Sequence, residues 1–150
     1  MRNIKMRNIN LRIPQQVKTH AVALISLMTA LSGLFYNNWR DHQNERNHNM
    51  RNAAFEVLKD LGELQTIVNY AHYDDDVIKG NPIEGWKYAI QVRDLSHLLS
   101  PHSQLQGKQL YVVWQRDWAA LGQDQLSEQR ISQQISVTRD TVLATIHAIE

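Results

Sequence analysis

Residues 21–36 read AVALISLMTALSGLFY, sixteen positions without a charge. Arg2, Lys5, Arg7, Arg12 and Lys18 precede them, and residues 1–20 hold no acidic side chain. A helix rises about 1.5 Å per residue, so this run covers about 24 Å. A hydrocarbon core is about 30 Å thick. The flanks close the gap. With Thr19, His20, Asn37, Asn38 and Trp39 seated in the interfaces, residues 19–39 reach about 31 Å. Ser26, Thr29 and Ser32 can bond back to the preceding turn of their own helix, so they do not forbid insertion. Ala21, Leu24, Leu27, Leu31, Leu34 and Phe35 form the apolar body of the segment. Tyr36 and Trp39 stand where an aromatic belt marks the water boundary. The run therefore predicts a membrane helix, leaving the rest of the chain to build its own core.

Lysine and arginine set the expected orientation. Five precede the segment, while Arg40, Arg46 and Arg51 follow it in company with Asp41 and Glu45. The positive-inside rule then keeps the N-terminus in the cytoplasm. In a bacterial cell this means the inner membrane, with the bulk of the chain in the periplasm. The expected domains are a basic cytoplasmic leader at 1–18, a transmembrane signal anchor at 19–39 and an extracytoplasmic helical domain at 40–150. A cleaved signal peptide is the competing reading, with Ala30-Leu31-Ser32 before Gly33 as the cutting site. It would release a soluble periplasmic adaptor or chaperone. The apolar run continues past that site through Leu34, Phe35 and Tyr36, which favours the anchor. MRNI at residues 1–4 recurs at 6–9, so Met6 is a second candidate start.

The net charge of +1 conceals a split. The leader is basic, and residues 21–150 carry 11 basic against 15 acidic residues. An acidic domain without a basic stripe is a poor nucleic-acid binder, and the leader fits anionic lipid better. The expected partners are membrane lipid and either another protein or a second copy of the chain, with no nucleic acid. There is no cysteine, which excludes disulfides, thiolate metal sites and thiol catalysis.

Glycine and proline cluster at Gly80, Pro82 and Gly85, at Pro101 and Gly107, and at Gly122, and are read as breaks. Between them apolar residues recur at helical spacing. Met50, Ala54, Val57, Leu61, Leu64, Val68 and Ala71 alternate steps of four and three, a heptad seam suited to left-handed helix packing. Residues 37–49 before it read as a solvated helical neck, with a flexible polar linker as the alternative. A second helix starts near Pro82–Glu84, has Tyr88, Val92, Leu95 and Leu99 as its seam, with Trp86, Ile90 and Leu98 widening it, and ends at Pro101. A third runs over about 103–121 with Leu110, Trp114, Trp118 and Leu121 on one face and Gly122 as its C-cap. A fourth begins near Asp124 or Ser127, with Ile131, Ile135, Thr138, Val142, Thr145, Ile146 and Ile149 inward. The expected fold is all-α: one N-terminal transmembrane helix continuing into an up-down antiparallel bundle of about four helices.

Chemistry-bearing patterns are sparse. Seven histidines are scattered with no i,i+4 pair, so no metal site is expected. Asp74, Asp75 and Asp76 lack the calcium-loop pattern. They read as a solvated acidic loop, one of them acting as an N-cap for the next segment, and as a reasonable docking site for a partner. Trp86, Trp114 and Trp118, with Tyr70, Tyr73, Tyr88 and Tyr111, either line a small-ligand pocket or fill the core; the core is the expected role. No nucleophile has a base partner, no glycine loop suits a nucleotide and no carboxylates are paired for catalysis. The expectation is a protein without catalytic activity or cofactor.

This layout, a membrane helix feeding a four-helix bundle, is similar to the extracytoplasmic modules of bacterial chemoreceptors and sensor kinases. The resemblance covers about residues 17–150, rests on architecture and implies a small-ligand-sensing module acting through a partner. The chain departs from those modules in carrying no second apolar run.

Overall fold

The computed structural model describes residues 15–74 and 76–149, with side chains described from His20 onward. Among them are four α-helices and no strand: α1 (Gln15–Tyr73), α2 (Pro82–Leu95), α3 (Pro101–Asp117) and α4 (Gln125–Ala148). The chain divides into two compact units between Gln43 and Asn44, a boundary that α1 crosses. In the first unit α1 is long and apolar enough to cross a membrane, and the side chains of residues 20–42 are all exposed. The solvated neck is helical throughout its length.

The second unit is a four-helix bundle, and each start follows from local chemistry. Asn81 caps α2, its side chain accepting from Ile83 N at 3.1 Å, and Pro82 occupies the first turn, where its missing N–H costs nothing. Ser100 caps α3 through Ser103 N at 3.2 Å, again ahead of a proline. Asp124 caps α4 by accepting from Leu126 N and Ser127 N.

Specific contacts fix the topology. Gly80 approaches Ala71 and Gly85 approaches Leu64, so α2 runs antiparallel to α1. Gly85 lies beneath Trp114 and Gly107 against Ser96, which sets α3 antiparallel to α2. Ser103 bonds Thr145 at 2.9 Å, Gln106 bonds Gln134 at 2.9 Å and Asp117 bonds Arg130, so α4 returns along α3. Gln65 bonds Ser132 at 3.0 Å and closes α4 onto α1. The bundle is up-down and antiparallel, as its apolar spacing predicts.

Ala54, Val57, Leu61, Leu64 and Val68 of the α1 seam are fully buried, with Met50 and Ala71 packed at its ends. Leu110, Trp114, Leu121, Ile131, Ile135, Thr138 and Val142 meet them. The second helix departs from expectation. It ends at Leu95 in a 3-10 turn, Ser96–Leu98, and Ile90 and Leu98 are exposed rather than inward. Its buried positions are Gly85, Ala89 and Val92, and Ser96 of the 3-10 turn continues the same inward line. The indole of Trp114 fills the volume opposite, so only small residues allow α2 to come close. A Cβ at Gly85 would overlap the Trp114 ring, and one at Gly107 would meet Ser96 Oγ at 2.5 Å. Gly85 and Gly107 are therefore contact points inside helices, not breaks. The third helix likewise tightens into a 3-10 turn at Trp118–Ala120, so Gly122 sits in the following turn and does not cap it.

Two buried carboxylates act on stability with opposite sign. Asp117, almost wholly buried, accepts from Arg116 at 2.7 Å and from Arg130 at 2.9 Å. The two guanidinium groups, Arg116 foremost, hold its pKa down to about 2 from 3.8. A lowered folded-state pKa gives stability that is present above pH 3.8 and lost as pH falls through about 2. The contribution is about 2 kcal/mol. Asp117→Asn is expected to flatten acid unfolding over that window, as followed by circular dichroism.

Asp60 on α1 is 5% exposed, and no hydrogen bond or ion pair to its carboxylate is present among the described residues. Burial first, then Glu56, raises its pKa, with Lys59 and Lys87 opposing. A raised folded-state pKa means the favourable protonated form is complete below pH 3.8 and is lost as pH rises through the folded value. Asp60→Asn is expected to raise the thermal midpoint at neutral pH and to lose that advantage in acid. An unchanged midpoint at neutral pH contradicts this.

Candidate functional site

Three places concentrate the residues singled out by sequence. The first is the apolar length of α1. Ala21, Leu24, Leu27, Leu31, Leu34, Phe35, Tyr36 and Trp39 are all exposed there, and the most apolar window has a mean hydropathy of 1.3 with none of its residues buried. Thr29 Oγ1 donates to Ile25 O at 2.9 Å, so one of the polar groups in the run is satisfied within its own helix. Tyr36 and Trp39 lie 6.3 Å apart between ring centroids. The basic residues Arg2, Lys5, Arg7 and Arg12 lie outside the described residues, and for Lys18 only its place in α1 is described.

The second is the aromatic set, which the fold separates. Trp114 is completely buried in the core, and no acceptor among the described residues reaches its Nε1. Trp86 and Trp118 pack edge to face at 6.0 Å on the flank of α2 and α3, and Trp86 also meets Tyr111 at 5.7 Å. Arg93 lies 4.5 Å from the Tyr111 ring, a cation–π contact. These rings pack on one another and on the core.

The third is the α1–α2 turn. Asp74 is exposed at its start, Asp75 lies outside the described residues, and Asp76 is the residue that organises it. Asp76 Oδ1 accepts from Ile78 N and Lys79 N, each at 3.0 Å. Those two N–H groups, Lys79's first, lower its pKa. Asp76 N donates to Tyr70 O at 3.2 Å, and Gly80 N donates to Asp76 O at 2.7 Å. Gly80 in turn lies so close to the backbone of Tyr70 and Ala71 that a Cβ there would overlap it. His72 Nδ1 lies 3.1 Å from Leu121 O, tying this end of α1 to the turn before α4. The same neighbourhood places Glu128 beside the Tyr73 phenol, which raises its pKa.

Sequence reading missed Val77 and Ile78, which the turn presents outward; two apolar residues between an acidic triplet and a lysine were the available signal. It also missed the hydroxyl cluster of Ser100, Ser103 and Thr145, whose members lie 2.9–3.1 Å apart. Those hydroxyls satisfy one another and the α3 N-terminus. Among the described residues no group of three or more His, Asp or Glu side chains is placed to hold a metal ion. Comparison of the chain with protein-family models, with curated proteins and with solved structures gives no match.

Proposed function

We propose that this chain is a single-pass membrane protein with its N-terminus in the cytoplasm, whose helical bundle stands outside it and binds another protein or a second copy without catalysing a reaction. In a bacterial cell the bundle occupies the periplasm, and 19–39 is an uncleaved signal anchor. One observation carries the reading: the most apolar stretch of the chain is wholly exposed, while residues after Asn44 have a core of their own. Soluble proteins rarely leave so large an apolar surface uncovered. The charge bias around the segment supplies the orientation. The aromatic rings are accounted for by packing, which supports an interaction domain over a ligand-sensing one.

Carbonate extraction with N-terminal sequencing, combined with a compartment-sensitive reporter fused at the C-terminus, tests this. The expected result is a membrane-retained chain that keeps its leader and a reporter active outside the cytoplasm. A mature terminus near Gly33, or a reporter active only inside the cell, overturns it.

A further inference from the structure

Val77 and Ile78 are 85% and 83% exposed, more than any large apolar side chain of residues 20–39, the most exposed of which, Phe35, stands at 74%. They are not on a loose loop. The Asp76 side chain fastens the backbone under them, Gly80 closes the turn, and the turn is seated on α1 at Ala71. Tyr73, Ile83 and Leu126 expose apolar surface at the same end of the bundle. Beside the turn a shallow recess of about 270 Å³, whose lining includes Ala71, Val77, Gly80 and Pro82 along with the polar Asp76 and Asn81, has room for one side chain. A fixed apolar projection next to a recess carries little ordering cost on binding.

Charge selects what covers it. Residues 74–84 hold four acidic residues and one basic residue, Lys79, which lies 3.7 Å from Asp76. Such a surface repels anionic lipid. It also repels the same turn on a second copy of the chain. Both leave a protein of opposite charge. We infer that the α1–α2 turn docks Val77 and Ile78 into an apolar cleft on a different protein, rimmed by lysine or arginine. This rests on the interaction reading above and names the partner's chemistry. The apolar pair supplies affinity, and the acidic rim steers encounter and enforces selection.

The full chain in neutral-lipid nanodiscs is tested first with a defined probe, an amphipathic helical peptide of leucine and lysine, against its leucine–glutamate counterpart. The lysine peptide is expected to bind and the glutamate peptide not to. Ile78→Ser is expected to weaken binding about tenfold, the factor that burying one branched aliphatic side chain supplies. Leu105→Ser, on the outer face of α3, is expected to leave it unchanged. Both variants are exposed changes, and thermal melting verifies that they fold. Failure of the lysine peptide to bind, equal binding of the two peptides, or equal loss in both variants overturns the proposal. A second arm places a photo-reactive amino acid at Val77 or at Val112 in native membranes. A heterologous adduct at Val77 that Asp74→Lys abolishes supports the docking turn. An adduct at Val112 alone overturns the turn while leaving the interaction reading intact. A self-adduct at Val77 overturns the assigned occupant, and no adduct at either position overturns both readings.

Discussion

Replacing Leu27 and Leu31 together by lysine is expected to release the chain from the membrane. The two residues are one helical turn apart and exposed in the middle of the apolar length of α1. Each lysine at the centre of a membrane helix costs about 2.5–3.5 kcal/mol of insertion free energy. Together they cost about 5–7 kcal/mol, or a factor of about 10⁴ in the insertion equilibrium. Carbonate extraction of the variant reads this as a shift from pellet to supernatant. The bundle melts separately in this picture, because its core begins at Ala53. A variant that stays in the pellet, or one whose bundle unfolds, contradicts the assignment of this length to lipid.

The second large effect lies in the bundle. Trp114 is the largest fully buried side chain, facing Gly85 and Leu64. Trp114→Ala is expected to cost about 3–5 kcal/mol, from lost transfer free energy and the cavity left behind. For a domain of this size that lowers the thermal midpoint by about 15–30 °C. Trp114→Phe keeps most of the ring and removes an indole N–H that no acceptor among the described residues reaches, so its cost is expected to be far smaller. Chemical denaturation of the three proteins checks the order. Equal losses for alanine and phenylalanine would show that the indole edge, not the buried volume, matters.

The sequence was most legible where one apolar stripe met one surface. The α1 seam from Met50 to Ala71 reads directly because its members recur in unbroken steps of four and three on a helix without proline. The α4 seam from Ile131 to Ile146 reads for the same reason. In α2, Val92 was read inward and is buried, but apolar size also pointed to Ile90 and, past the helix end, to Leu98, whereas the other inward residues are Gly85, Ala89 and, just after the helix, Ser96. Periodicity records which residues are apolar, not how near the opposite helix comes. That distance was set by the ring of Trp114, on another helix, and no local pattern in α2 contains it. The α1–α2 turn was visible as an acidic loop because aspartates are conspicuous. The outward aim of Val77 and Ile78 was not, since it arises from backbone hydrogen bonds to Asp76.

The fit of the indole over Gly85 has an evolutionary corollary. Descendants of this chain that gain a methyl at position 85 must lose ring volume at position 114 in the same lineage, or pass through an unstable ancestor. The two sites, 29 apart in numbering, should therefore drift as a linked couple, and glycine should persist wherever the tryptophan does.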